Sequence, residues 1–295
     1  MSSSDSQGVL EQVVAQRQRL SDRLESVERV VAVVSGKGGV GKSTLVANLA
    51  AALADSGCRV GALDADLGGP TLAQMLGARG QTLRLVSDGV EPAVGAAGVK
   101  VMSLDLFLSE DDSPVEWNHP EGLAEDAFVW QGTMETSAVR EMAADTVWGD
   151  LDMLLIDLPP GTERFATFSR LIPKMEGVVV TIPTAASYLV VKKSVRHAQK
   201  SGARIIGLVE NMAGFVCPSC GEVGPLFDGE PEGMSLAADL DIAFLGSIPL
   251  DPRLTRASNE GLPLVLTDPG SPAAGAMAQV VEGLMDGSET RDKVS

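Results

Sequence analysis

Apolar residues recur at three- and four-residue spacing early in the chain, at Leu10, Val13, Leu20, Leu24 and Val27, with Arg17 interrupting the stripe. That spacing predicts an amphipathic helix packed on the main body of the protein, with a dimer or partner helix as the alternative. The stripe is too short to claim a coiled coil. From Val30 the pattern changes to short β-branched runs over residues 30–34, 60–63, 99–103, 153–156, 178–182, 205–209 and 242–245. Helical stretches lie between most of them; in the first, Leu45, Val46, Leu49, Ala52 and Leu53 fall on one helical face. The alternation predicts an α/β fold, a mostly parallel twisted sheet with helices on both faces. Right-handed crossovers then gather the loops after the strands along one edge, where ligands of open α/β sheets bind. Residues 104–133 read as an irregular, acid-rich excursion carrying Glu116-Trp117-Asn118-His119-Pro120, with no assigned role. The expected organisation is a tail and helix over residues 1–29, one large domain over 30–286 and a frayed tail over 287–295.

Composition narrows the function classes. The chain has 295 residues, 44% of them hydrophobic, and a formal net charge of −17. Such a surface repels phosphate backbones and anionic headgroups, so neither a nucleic acid nor a membrane is expected as a partner. It does not exclude a nucleotide, because one loop of backbone N–H groups with a lysine holds a triphosphate inside an acidic protein. The polar start Met1-Ser2-Ser3-Ser4-Asp5-Ser6 lacks the basic and apolar regions of a signal peptide, and no apolar run approaches about 18 residues. Three cysteines do not make a disulfide framework in a chain of this size. A cytoplasmic location is the expectation.

The first β-branched run leads into Ser35-Gly36-Lys37-Gly38-Gly39-Val40-Gly41-Lys42-Ser43-Thr44 and then a helix. This is G-x-x-x-x-G-K-[ST] between a strand and a helix, the context that the phosphate-binding P-loop requires. Its glycines let consecutive N–H groups turn inward around the β-phosphate of ATP, and the helix N-terminus adds positive potential. Lys42 is placed for the β- and γ-phosphates, Ser43 for Mg²⁺ and Thr44 for the α-phosphate. Phosphoryl chemistry with magnesium also needs carboxylates opposite the loop. Asp64-Ala65-Asp66 and Asp157 supply them, each group at the C-terminal end of an apolar run, and Asp64 and Asp157 are expected to serve Mg²⁺ with Ser43. Asp157 is the Walker B type residue, acting on Mg²⁺ through water, and Leu158-Pro159-Pro160-Gly161 completes an Asp-x-x-Gly loop able to sense the γ-phosphate.

Lys37, directly after the first glycine, makes this a deviant Walker A of the ParA/MinD type. Together with Gly69-Pro70, Trp148-Gly149-Asp150-Leu151-Asp152, the Asp157 to Thr162 segment, Val209-Glu210-Asn211-Met212, Cys217-Pro218-Ser219-Cys220-Gly221 and Gly246-Ser247-Ile248-Pro249-Leu250-Asp251-Pro252, it resembles the Mrp/ApbC iron–sulfur carrier ATPases over residues 30–266. The resemblance implies a homodimer closing around two ATP molecules, with Lys37 reaching the partner's nucleotide and Asp66 orienting the attacking water. It also implies that Asn211 contacts adenine, helped by the loop from Pro249 through Asp251 to Pro252. The chain departs from the family pattern at Glu163-Arg164, where Gly-Asp is usual, at Gly68 in place of a tyrosine, and at Thr184 in place of a glutamine. The expectation from the resemblance is that the short helix stands where some members carry a small acidic N-terminal domain.

Cys217 and Cys220 flank Pro218-Ser219 and precede Gly221, a knuckle that turns two thiolates toward one point. Zinc and iron–sulfur sites usually take four protein ligands, so either a symmetric dimer contributes two per subunit or positions stay open. The resemblance favours a [4Fe-4S] cluster bridging the dimer and handed on to apo iron–sulfur proteins. A structural Zn²⁺ is the rival, and a redox pair fits less well, because such pairs open a helix early in a βαβ unit. Cys58 reads as packing, and His119 and His197 as bystanders. A spatial-organiser ATPase of the ParA/MinD kind would need a basic surface or a basic C-terminal helix, and residues 271–287 hold Glu282 and Asp286 but no lysine or arginine. A protein-targeting ATPase resembling the tail-anchor chaperones would need a methionine-rich groove, and the methionines here are scattered.

Overall fold

The computed structural model describes residues 14–107, 127–229 and 231–289. A helix over residues 14–23 (α1) turns into β1 (Val27–Ser35), and the P-loop joins β1 to α2 (Lys42–Asp55). Then come β2 (Val60–Asp64), α3 (Leu72–Met75), the hairpin of β3 (Arg84–Val86) and β4 (Gly89–Glu91), β5 (Ala93–Val94) and β6 (Lys100–Met102). The next elements are α4 (Ala127–Asp145), β7 (Leu151–Asp157), α5 (Thr162–Leu171), β8 (Met175–Thr181), α6 (Ala185–Lys200) and the long β9 (Arg204–Val216). β10 (Val223–Gly224), α7 (Gly233–Asp239), β11 (Ala243–Leu250), α8 (Arg253–Glu260), α9 (Leu264–Thr267) and α10 (Pro272–Glu289) complete the order.

The main sheet runs β10-β9-β8-β1-β7-β2-β6-β5, with β11 also on β9; only β5 and β10 pair antiparallel. Along β1 the pleat sends Val31 and Val33 to a core beneath α2, α9 and α10, and Val30, Ala32 and Val34 to a core beneath α5 and α6. Both faces are covered, which is why the central strands are continuously apolar. Helix α2 is buried along most of its length because it crosses the sheet directly behind the P-loop.

Four boundaries differ from the sequence reading. The early stripe splits: Leu20 lies in α1, Leu24 in the turn and Val27 begins β1 opposite Leu151, and all three bury in the second core. The helix therefore packs on the main body; Leu10 and Val13 lie outside the described residues. Residues 127–133 are helical rather than irregular, since α4 starts at Ala127 and seats Val139 and Ala143 against the sheet beside Trp148, whose indole N–H donates to the Ala143 carbonyl at 3.0 Å. The segment Glu116 to Pro120, with His119, lies outside the described residues. α10 continues through Glu289, and β9 runs on to Val216 because β11 and β10 pair with its far half.

Candidate functional site

The register of three strands assembles the site. β1 and β2 both pair with β7, placing Val33 and Asp64 on either side of Asp157 just before their loops leave the sheet. The P-loop then folds over this edge. Gly39 and Gly41 take φ of 77° and 79°, which favours glycine, and a Cβ on Gly41 would sit 2.4 Å from Asn211 Nδ2. Lys37 to Thr44 line one cavity of about 230 Å³ together with Asp66, Thr71 and Pro160. Gly36 packs against Val190 of α6, where a Cβ would sit 2.5 Å from Val190 Cγ1.

Lys42 is buried and donates to Asp157 Oδ1 at 2.5 Å. Asp157 Oδ2 is buried with no hydrogen-bond partner. Burial raises the Asp157 pKa and the Lys42 charge opposes it, the net direction being upward. An orphaned carboxylate oxygen beside Ser43 suits a hydrated hard cation, so these residues fit magnesium. Asp64 is used differently. Its oxygens accept from the N–H groups of Asp66 at 3.2 Å and of Thr71 and Leu72 at 2.9 Å, and from Ser103 Oγ at 3.2 Å. Burial first, then the Asp157 charge, push its pKa up to about 7 against those N–H groups. Asp64 thus clasps the loop that carries half-buried Asp66 to the cavity. Lys37 is exposed, its carbonyl tied by Ser35 Oγ at 2.8 Å.

Among the described residues, the three expected around the base are put to separate uses. Asn211 is buried and donates to the Val40 carbonyl at 2.7 Å, bracing the P-loop from below. Asp251 is buried and holds Arg253, accepting from its backbone N–H at 3.0 Å and from its guanidinium at 2.9 and 2.7 Å. Pro249 lines a separate hollow with Ala213 and Val223.

Cys217 follows β9, and its backbone N–H and C=O are fixed by Glu222 and Gly221 at 2.9 and 2.8 Å. Gly221 has φ 76°, closing the knuckle. The N–H groups of Cys220 and Ser219 hold the Cys217 thiol below its usual pKa, so the fold favours the thiolate that metals take. Cys220 is exposed. Among the described residues no group of three or more His, Cys, Asp or Glu is placed to hold a metal, so the knuckle offers two ligands per chain. Cys58 packs against the first core, and His197 is exposed on α6.

The fold that carries this P-loop is found in known proteins. Residues 26–285 match the model of the ParA-type NUBPL iron-transfer P-loop NTPase. The chain belongs to that family. Within the NUBPL-type NTPases it is 41% identical over 272 residues to an iron–sulfur cluster carrier protein of Saccharolobus solfataricus, covering 92% of this chain and 87% of that one. It is 38% identical to the human cytosolic Fe-S cluster assembly factor NUBP2, covering 89% and 94%. Among solved structures, a nucleotide-binding protein from Archaeoglobus fulgidus in complex with ADP matches with TM-score 0.68 and 35% identity over 83% of this chain and 91% of that one. The Pyrococcus horikoshii septum site-determining protein MinD, at 24% identity and TM-score 0.60 over 87% and 95%, shares the fold.

Two features of this NUBPL-type chain escaped the sequence reading. Glu210, fully buried on β9, accepts from Tyr188 Oη at 2.5 Å, Gly233 N at 2.9 Å and Ser247 Oγ at 3.1 Å. A charged residue inside an apolar run next to Asn211 was the available signal. Arg164, one of the departures from the family pattern, pairs with Glu135 of α4 and so ties the start of α5 to that helix.

Proposed function

We propose that the chain is an ATP-binding and ATP-hydrolysing iron–sulfur cluster carrier, acting in the cytoplasm as a homodimer that holds a [4Fe-4S] cluster between two Cys217–Cys220 knuckles and passes it to apoproteins. The observation that carries this reading is the knuckle itself. Two accessible sulfurs, one held toward its thiolate, form half of a four-ligand site on a nucleotide-binding fold. The names of the archaeal carrier and the human assembly factor support it, as does ADP in the Archaeoglobus structure.

Each residue of the phosphate site has a role in that reading. The P-loop N–H groups and Lys42 hold the phosphates, and Asp66 orients the attacking water at the cavity mouth. Ser43 and Asp157 would hold Mg²⁺, which neutralises charge on the transferring phosphoryl group when bound. Exposed Lys37 is available to a second subunit, so hydrolysis would depend on dimerisation. The test is transfer: cluster-loaded protein is mixed with an apo [4Fe-4S] acceptor enzyme and acceptor activity is followed with and without ATP. Recovery of the acceptor by wild type but not by a Cys217→Ala, Cys220→Ala variant supports the reading; no recovery from loaded wild type contradicts it.

A further inference from the structure

Past Glu210, β9 parts from β8. Its pairing with β8 ends at Thr181 opposite Glu210, whereas pairing with β11 continues to Leu250 opposite Phe215, and β10 pairs with Phe215 and Val216. Residues 212–216 are therefore an arm, supported by β11 and β10, with Cys217 at its tip.

Three consecutive residues form the root of the arm. Glu210 is fixed by Tyr188, Gly233 and Ser247, so the strand is anchored on the sheet side. Asn211 is bonded to the Val40 carbonyl, and Gly41 leaves no space between the P-loop and that amide. Met212 has φ 56°, a left-handed backbone that a long side chain rarely adopts inside a strand. The β11 register slips between Ile248 and Leu250, along the same stretch. Cys217, Pro218 and Gly221 share a cavity of about 430 Å³ with Asp251 and Arg253, the residues that follow β11. Neither Glu210 nor Met212 belongs to the phosphate cavity.

We propose that Asn211 and Met212 are positioning residues that couple the P-loop to the Cys217 knuckle: a change of loop backbone at Val40 is transmitted through the Asn211 amide, absorbed at Met212, and delivered along the arm to the thiol. The inference rests on the nucleotide reading above. Glu210 makes the coupling directional, because the strand before it cannot follow the loop and the arm after it can. The strained residue lies where the two parts of the strand meet, as expected of an element with two discrete arrangements.

The test uses the full chain, with ADP and Mg²⁺ as the probe and Cys217 alkylation by iodoacetamide, resolved by peptide mass spectrometry, as the readout. ADP binding is titrated and oligomeric state is followed by light scattering in the same samples. Saturating ADP is expected to raise the Cys217 rate about fivefold or more. Met212→Gly, which relieves the left-handed backbone and loosens the root, is expected to bind ADP as wild type does while the change falls below about twofold. Asn211→Ala removes the strut and is expected to abolish the change. A wild-type rate that is the same with ADP bound, a full response in Met212→Gly, or a change that follows dimerisation alone would each overturn the proposal. Failure of the wild type to bind ADP would overturn the nucleotide reading, and the coupling with it.

Discussion

The Lys42 ammonium lies 2.5 Å from Asp157 Oδ1, and both side chains are buried, so one ion pair joins the P-loop to the end of β7. A buried pair broken on one side leaves an uncompensated charge. Lys42→Met is expected to lower stability by about 3 kcal/mol and to abolish nucleotide binding. Adding Asp157→Asn is expected to restore most of the stability but none of the binding. Denaturant melts and ADP titrations of the single and double variants separate the two effects.

Lys37 sits on the same loop but outside the buried pair, exposed to solvent. A cation delivered to a neighbouring active site acts on developing charge rather than on ground-state binding. Lys37→Ala is expected to keep ADP affinity while ATP turnover falls by about 10³-fold. Equal turnover would show that this lysine takes no part in hydrolysis.

The P-loop was legible in the sequence because its chemistry is local: strand, glycines, Lys42 and helix follow one another. The two carboxylates could also be assigned, since Asp64 and Asp157 each end an apolar run. Their separate uses could not. Asp64 is consumed by N–H groups up to eight residues ahead, and that geometry exists only once α3 has folded back. The bond from Asn211 to Val40 joins positions 171 residues apart and needs β9 to lie beside β1's loop. The start of α4 was hidden by the acids and proline of the preceding segment, and its helix is held by tertiary packing around Trp148 rather than by a strong local signal.

Asp64 also sets a pH dependence. Its pKa rises from 3.8 to about 7 on burial beside Asp157, so between these values the folded chain holds a proton that the unfolded chain has released. Its contribution to stability is then lost as pH rises through that window. Without magnesium or nucleotide, the melting temperature is expected to fall from pH 5 to pH 7.5, and Asp64→Asn is expected to flatten this slope. An unchanged slope in the variant would assign the effect to other groups.

The proposed function requires two chains to share a cluster at Cys217 and Cys220. It is tested most directly by anaerobic reconstitution of the wild type and of a Cys217→Ala, Cys220→Ala variant, with iron, sulfide and zinc measured per dimer. About four irons and four sulfides per dimer are expected in the wild type and none in the variant. About one zinc per dimer, with no stable cluster, would contradict it and make the knuckle a structural clasp.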